Sequence, residues 1–180
     1  MNPDQPSGVN GLVELAMMIP DSILSLLTVV GAVGSGLAGG LLFAFSTAVM
    51  PALSRQSEAC GISAMQAVNV VILNPLFLIL FLGTAGVSLA LAVVALTSAP
   101  EGLGLLLLAG ALLYLIGVFG VTMAINVPLN NRLAALAADR RDSWPEWRRY
   151  LERWTRWNHV RSAAAALGSL ALTLAALRLG

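Results

Sequence analysis

Residues 75–96 read PLFLILFLGTAGVSLALAVVAL and contain no charged side chain. A helix needs about 20 predominantly apolar residues to cross the hydrocarbon core of a bilayer. Three further stretches meet this requirement, at residues 23–50, 103–125 and 160–177. We therefore predict an all-α fold, an integral membrane four-helix bundle, in a single membrane domain over residues 1–180.

The composition agrees with a membrane protein. The chain has 180 residues, of which 58% are hydrophobic and 11% charged, whereas a soluble domain has about 25% charged residues. Ten cations and nine anions leave a formal charge of +1, so no charge excess indicates a nucleic-acid partner. All ten cations are arginine. The absence of lysine is typical of GC-rich bacterial genomes, so we expect a bacterial source.

Metal and disulfide chemistry are restricted by the residue counts. Cys60 is the only cysteine and His159 the only histidine, which excludes an intrachain disulfide and the CxxC and HExxH motifs. We expect no metal and no cofactor. Counting alone leaves open a mixed carboxylate site or a single axial haem ligand.

The arginines predict the orientation in the membrane. Arg55 lies between the first two spans, and eight arginines lie from Arg132 to Arg161. Basic connections stay on the cytoplasmic side, so we expect both connections in the cytoplasm, both termini outside and a location in the bacterial inner membrane. Residues 1–21 carry acidic but no basic side chains, unlike a signal peptide, so the first span is interpreted as a retained anchor.

Two segments next to the spans have helical spacing. Residues 54–73 form a predicted helix that extends span two, and Asn74-Pro75 marks either a kink or a helix start. In span one, small residues recur every four positions at Gly31, Ser35 and Gly39. Such ridges let helices pack closely in lipid, although a flat ligand against the ridge is an alternative.

The third span ends in INVPLNN, residues 125–131. Asn126 and Asn130 share one helical face, and Pro128 frees the backbone carbonyl of Ala124. The two amides either satisfy freed carbonyls in the broken helix or converge on a cavity.

Residues 143–161, SWPEWRRYLERWTRWNHVR, predict an additional amphipathic cytoplasmic helix before span four, within the basic, aromatic connection 126–159. At 100° per residue one face is aromatic and the opposite face is basic. We interpret it as an interfacial helix with its tryptophans at headgroup level. The aromatic face holds Trp147, Tyr150, Leu151, Trp154, Trp157, Asn158 and Arg161.

Two side chains of this segment are candidates for chemistry. Arg161 lies on the aromatic face where the apolar run begins, so it must snorkel, form a pair or face a polar cavity. Histidine is the side chain whose unperturbed pKa lies nearest neutrality, so His159 is the default candidate for a general base. It lies about 120° from Trp147 on the helical wheel, so a solvated or headgroup-facing histidine is the alternative.

Several phrases together resemble the anthrone oxygenase family, a family of small four-helix integral membrane proteins. The similarity covers residues 30–177 in order and spacing. It is carried by Phe43-Ala44-Phe45-Ser46-Thr47, Met50-Pro51-Ala52-Leu53, Ala64-Met65-Gln66-Ala67-Val68-Asn69, Asn74-Pro75, Asn126-Val127-Pro128-Leu129-Asn130-Asn131, Trp154, and Trp157-Asn158-His159-Val160-Arg161.

The resemblance implies a membrane bundle and, as in fungal polyketide-pathway members, oxidation of an anthrone to an anthraquinone by O₂ without a recognised cofactor. Such chemistry needs a base, oxyanion donors and an apolar slot. From the sequence and the family phrases together, we expect His159 as the base, and Arg161, Asn126, Asn130 and Asn158 as oxyanion donors. The groups expected to flank the rings are Trp154, Tyr150, Phe43 and Phe45.

The expected partners are the membrane and an apolar aromatic small molecule or lipid, and an oligomer is compatible with the sequence. The main alternative is a non-catalytic bundle that binds a lipid or a protein. A transporter is disfavoured, because the spans lack a buried carboxylate or paired charge for ion coupling.

Overall fold

A computed structural model describes Gly11 and residues 20–180 of the chain. This part contains five helices and no strand: α1 (Asp21–Ser54), α2 (Glu58–Val71), α3 (Pro75–Thr97), α4 (Glu101–Ala134) and α5 (Trp144–Leu179). The expectations for the acidic segment at residues 1–19 and for the N-terminus lie outside the described residues.

The four long helices α1, α3, α4 and α5 form the predicted bundle. Each is long and apolar enough to cross a membrane. α1 and α4 each pack against both α3 and α5, which closes the bundle into a ring. At one end, here called the basic end, α1 and α4 finish while α3 and α5 begin.

The ridge of small residues on α1 packs against α5, as the helix-packing interpretation predicts. The Ser35 hydroxyl donates to the Ala165 carbonyl at 2.9 Å, and the Ser169 hydroxyl donates to the Ala32 carbonyl at 2.8 Å. A Cβ atom added at Gly39 would lie 3.0 Å from the Ala165 Cβ. Only small residues permit this approach of the two backbones.

α2 is a separate helix rather than an extension of span two. Asn74 begins α3, because its side-chain oxygen accepts from the Phe77 N–H at 3.0 Å. Its amide also donates to the Val71 carbonyl at 3.1 Å. Pro75 is the first residue of α3, a position where its missing N–H costs no helical hydrogen bond. Of the two alternatives for Asn74-Pro75, the structure has a helix start.

α2 lies across the basic end and is attached to α4 and α5. The Gln66 amide donates to the carbonyls of Leu133 and Leu136, both at 2.9 Å. The Arg148 guanidinium donates to the Glu58 carboxylate at 2.6 Å. This hydrogen bond, helped by one from the backbone, lowers the pKa of Glu58 below its usual value of 4.5.

α5 joins the amphipathic segment and span four in one 36-residue helix. Trp147 and Trp154 on its aromatic face are buried against other helices, so they do not face lipid headgroups as an interfacial helix would present them. Their helical face is covered by α2 and α4, whose side chains Ile62, Met65 and Leu133 pack against them.

Two π-helical turns widen the bundle helices near the basic end. Phe45–Val49 in α1 precedes Pro51, and Thr122–Asn126 in α4 precedes Pro128. In each case the residue just before the proline bonds back five positions instead of four. The turns add a residue on the face where polar side chains of α5 approach, as π-bulges at functional sites often do.

Candidate ligand-binding cavity at the basic end

A cavity of about 380 Å³ opens at the basic end, within the size range of small-molecule sites. All five helices contribute to its wall, and most of the lining is apolar. The residues that line it include Leu42, Phe45, Met65, Gln66, Asn69, Val70, Leu73, Phe77, Thr122, Asn126, Asn130, Asn131, Ala134, Trp154 and Arg161.

Arg161 supplies the charge of the cavity. It is only 5% exposed, and its terminal nitrogens donate to the Asn158 side-chain oxygen at 2.6 Å and the Thr122 hydroxyl at 3.1 Å. Its guanidinium carbon lies 5.2 Å from the centre of the Trp154 ring. Arg161 therefore points into the bundle and does not snorkel to the surface.

No carboxylate of residues 20–180 pairs with this guanidinium. The four ion pairs of the described chain all lie at exposed arginines of the α4–α5 connection and of α5. A buried cation without a counter-ion is costly. The cavity is therefore a place where an anionic oxygen would be stabilised.

Asn158 holds Arg161 in this position. It is fully buried, and its amide donates to the Leu42 carbonyl and to the Ser46 hydroxyl, both at 2.6 Å. Ser46 belongs to the π-helical turn of α1, which places the hydroxyl toward α5. The side-chain oxygen of Asn158 is thereby fixed as an acceptor for the guanidinium.

Asn130 connects α4 to the aromatic face of α5. Its side-chain oxygen accepts from the Tyr150 hydroxyl at 2.9 Å and from the Trp154 indole N–H at 3.0 Å. The amide does not repair the carbonyl freed by Pro128, which was one of the two sequence-based alternatives. Asn130 instead orients two aromatic rings beside the cavity.

Three buried polar atoms of the cavity wall have no hydrogen-bond partner among the described residues. They are Nε of Arg161 and Nδ2 of Asn69, which are donors, and Oδ1 of Asn126, which is an acceptor. Asn126 makes only a long contact of 3.5 Å from its Nδ2 to the Trp154 carbonyl. Unsatisfied buried groups are rare, and these three atoms give the cavity two donors and one acceptor for a polar ligand.

The cavity opens between α2 and α4. The exposed lining residues are Val70, Leu73, Asn131 and Ala134, so they mark its mouth. α3 has 23 residues and is about 34 Å long, slightly more than the hydrocarbon core. The mouth lies beside the first turn of this helix.

The structure brings together most of the site residues expected from the sequence. Five of them line the cavity: Phe45, Asn126, Asn130, Trp154 and Arg161. Tyr150 and Asn158 do not line the cavity, but they hydrogen-bond to two residues that do, Asn130 and Arg161 respectively.

His159 and Phe43 lie apart from this group. Both are exposed, and both line a shallow groove on the outer surface between α1 and α5. Gly36 and Gly40 belong to the same groove. The structure therefore does not place the imidazole with the polar side chains of the cavity.

Four polar lining residues were not among the candidates from the sequence: Gln66, Asn69, Thr122 and Asn131. Gln66 and Asn69 belong to a phrase of the family resemblance and follow helical spacing on α2, which is a usable signal. Nothing in the sequence indicates Thr122 as a site residue, because the hydroxyl of a threonine in an apolar span usually donates a hydrogen bond to a carbonyl of its own helix. It does so here as well, at 2.6 Å to the Val118 carbonyl.

The described lining offers no metal site and no general base. In residues 20–180 no three His, Cys, Asp or Glu side chains are grouped to hold a metal ion. Arg161 is the only ionisable side chain among the described lining residues. The cavity thus combines an apolar slot with one cation and a few amides and hydroxyls.

Comparison with known proteins gives a family but no closer relative. A family model described as anthrone oxygenase matches residues 74–171, which include α3, α4 and most of α5. No curated protein and no solved structure matches the chain. Since the match covers more than half of the sequence, the chain belongs to the anthrone oxygenase family.

Proposed function

We propose that the protein is a membrane oxidoreductase of the oxygenase type that binds a flat phenolic, anthrone- or quinone-type molecule in the cavity and promotes oxidation by O₂ without a cofactor. The observation that supports this proposal most strongly is that Arg161 is a buried cation with a free Nε–H beside an apolar cavity. An aromatic molecule with one ionisable oxygen matches this combination.

An anthrone illustrates the chemistry. Loss of one proton from its central methylene gives an anion whose charge rests mainly on the oxygen. Arg161 and the Asn69 amide are donors for that oxygen. The anion then reduces O₂, a carbon–oxygen bond forms at the former methylene, and loss of water leaves a second carbonyl. One anthrone and one O₂ become one anthraquinone and one water.

The proton needs no protein base in this proposal. A cation close to an acid lowers its pKa by about 1–3 units, so Arg161 makes the bound carbon acid easier to ionise. The proton leaves to water at the mouth of the cavity. His159 lies in the outer groove and takes no part in the proposed proton transfer.

Aromatic side chains give the cavity its affinity for flat rings. Phe45 and Trp154 have ring centroids 5.9 Å apart and are inclined by 52°, while Phe77 stacks on Phe81 at 5.4 Å. Trp154 is fixed by its bond to Asn130. By the positive-inside rule the basic end faces the cytoplasm, so the molecule enters from the cytoplasmic interface of a bacterial inner membrane.

The second candidate is a non-catalytic bundle that binds a lipid. The observation that favours it is the mouth itself, where the side chains of Val70 and Leu73 are 75% and 62% exposed. An acyl chain entering between them would find the same apolar slot. The two candidates differ in whether the occupant is consumed.

The test is turnover of an anthrone by the purified protein in detergent, followed by O₂ consumption and anthraquinone absorbance. Loss of a hydrogen bond from a charged group predicts turnover about 10- to 150-fold lower in Arg161→Gln. Arg178→Gln is the matched control, since Arg178 bonds the Gly102 carbonyl at the opposite end. His159→Asn also keeps wild-type turnover.

Each of three results would overturn a part of the proposal. If wild-type turnover is no faster than the rate without protein, the protein is not an enzyme for this substrate. If wild type and Arg161→Gln turn over equally fast, Arg161 does not have the proposed role. A haem band in the absorption spectrum would overturn the cofactor-free mechanism.

A further inference from the structure

A second recess lies at the basic end, outside the cavity described above. It has a volume of about 340 Å³ and runs between the last turns of α4 and the first turns of α5. Two facing rows of side chains form its walls. One row is Leu129, Arg132 and Leu133 on α4 together with Leu136, which lies two residues beyond the end of α4, and the other row is Glu146, Arg149, Tyr150 and Arg153 on α5.

The recess carries a net positive charge. Arg149 is paired with Glu146 at 2.6 Å. Arg132 and Arg153 have no ion-pair, hydrogen-bond or aromatic partner among residues 20–180, unlike seven of the other eight arginines. Two unpaired guanidiniums in one recess favour an anion with several acceptor oxygens, and phosphate is the anion that suits arginine best.

The floor of the recess is apolar. Leu129, Leu133 and the Tyr150 side chain are buried below the arginines. A free inorganic anion gains nothing from such a floor, whereas an amphiphile covers it with the apolar part next to its headgroup.

The depth of the recess agrees with the headgroup layer. Val160 of α5 is an exposed apolar side chain within the span, and Arg153 precedes it by seven residues, about 10 Å along the helix. The headgroup region extends about 5–8 Å beyond the hydrocarbon, and an arginine side chain easily reaches that far. Arg132 belongs to the same recess on α4.

We propose that this recess binds the phosphate of an anionic membrane lipid, with Arg132 and Arg153 as the phosphate ligands. Basic pockets between membrane helices on the cytoplasmic side commonly hold such headgroups. The site is separate from the cavity of the proposed function and does not depend on it. Tyr150 forms the wall between them, with its ring in the recess and its hydroxyl on Asn130.

The test measures lipid binding to the purified protein in detergent by native mass spectrometry. The probes are phosphatidylglycerol, phosphatidylcholine and inorganic phosphate. The double variant Arg132→Gln/Arg153→Gln removes both ligands, and Arg140→Gln/Arg156→Gln removes the same charge from exposed ion pairs outside the recess. Each arginine near a membrane surface strengthens the binding of an anionic lipid by about a factor of five. We therefore expect phosphatidylglycerol binding to be about 30-fold weaker in the first variant.

The control variant should change this affinity less than about 3-fold, because Arg140 and Arg156 are each paired with a carboxylate and lie outside the recess. Equal losses in both variants would show unspecific attraction and overturn the site. Equal affinity for phosphatidylglycerol and phosphatidylcholine would overturn the role of the charge, and saturation by inorganic phosphate would overturn a lipid as the ligand. If the glutamine variant does not fold, Arg132→Lys/Arg153→Lys retains the charge and must retain binding, or the proposal fails.

Discussion

Replacement of Arg161 by glutamine separates a functional role from a structural one. In the folded protein the guanidinium donates to Asn158 at 2.6 Å and to Thr122 at 3.1 Å, and it lies 5.2 Å from the Trp154 ring centre. It is 5% exposed and is paired with none of the carboxylates in the described chain. A residue kept only for stability would be expected to have such a counter-ion.

The opposing free energies of this substitution nearly cancel. The lost hydrogen bonds contribute about 1.5–3 kcal/mol each, and the cation–π contact contributes about 1–2 kcal/mol. Removing an unpaired buried charge regains several kcal/mol of desolvation free energy, and the glutamine amide can still donate to Asn158. We therefore expect the free energy of unfolding to change by less than about 2 kcal/mol.

Thermal unfolding in detergent, followed by far-ultraviolet circular dichroism, measures this change. A difference of 2 kcal/mol corresponds to a Tm shift of about 4–8 °C for a chain of this size. The expected result is a Tm within that range of wild type together with the loss of anthrone turnover. A Tm lowered by more than about 12 °C with unchanged turnover would refute the reasoning and make Arg161 a structural residue.

Three further substitutions or conditions test the packing of the basic end. Asn130→Leu leaves the hydroxyl and indole donors of α5 without an acceptor, and should lower the free energy of unfolding by about 2 kcal/mol in chemical denaturation. Gly61→Ala places a Cβ 2.7 Å from Cζ2 of Trp147, and the overpacking should lower the same free energy by about 1–3 kcal/mol. The Glu58–Arg148 contact gives a pH dependence: because the pKa of Glu58 is lowered on folding, its stabilisation is present at neutral pH and is lost as the pH falls below 4.5.

Each of these predictions has a matched control. Asn131→Leu changes an exposed neighbour of Asn130 and should be neutral. Gly86→Ala adds a Cβ in open space and should not destabilise the protein. In Arg148→Gln the acid-dependent loss of Tm should be smaller than in wild type, because one of the two hydrogen bonds that lower the pKa of Glu58 is removed. A wild-type Tm that falls no more than that of Arg148→Gln between neutral pH and about pH 3 would contradict the ion-pair argument.

The membrane helices could be predicted because length and hydropathy decide them. The second predicted span, residues 75–96, differs by one residue from α3 (Pro75–Thr97). α1 and α4 continue beyond the predicted ends, to Ser54 and Ala134, because hydropathy reports only the lipid-facing length of a helix. Their amphipathic ends remain helical because they pack against α2 and α5.

The arrangement of α5 could be predicted only in part. The helical wheel correctly grouped Trp147, Tyr150, Trp154, Asn158 and Arg161 on one face, and all five are buried. The sequence could not show whether lipid or protein covers an aromatic face, since both favour the same side chains. That depends on α2, which lies across the basic end.

The polar contacts of the cavity were the least predictable part. Asn126 and Asn130 could be assigned to one face from their spacing, but the partner of Asn130 is contributed by another helix. Thr122 and Ser46 meet α5 through π-helical turns, and no residue pattern predicts where a helix adopts such a turn. The 120° between His159 and the aromatic face did indicate their separation.

The most direct test of the central claim, stabilisation of an anionic aromatic oxygen by Arg161, is a titration of anthrone under anaerobic conditions. Without O₂ the bound molecule is not consumed, and the absorbance of its anion reports ionisation at each pH. With saturating wild-type protein in detergent, the ionisation midpoint should fall by about 1–3 pH units, and Arg161→Gln should restore the midpoint measured in detergent alone. A wild-type midpoint equal to that in detergent alone would contradict the account.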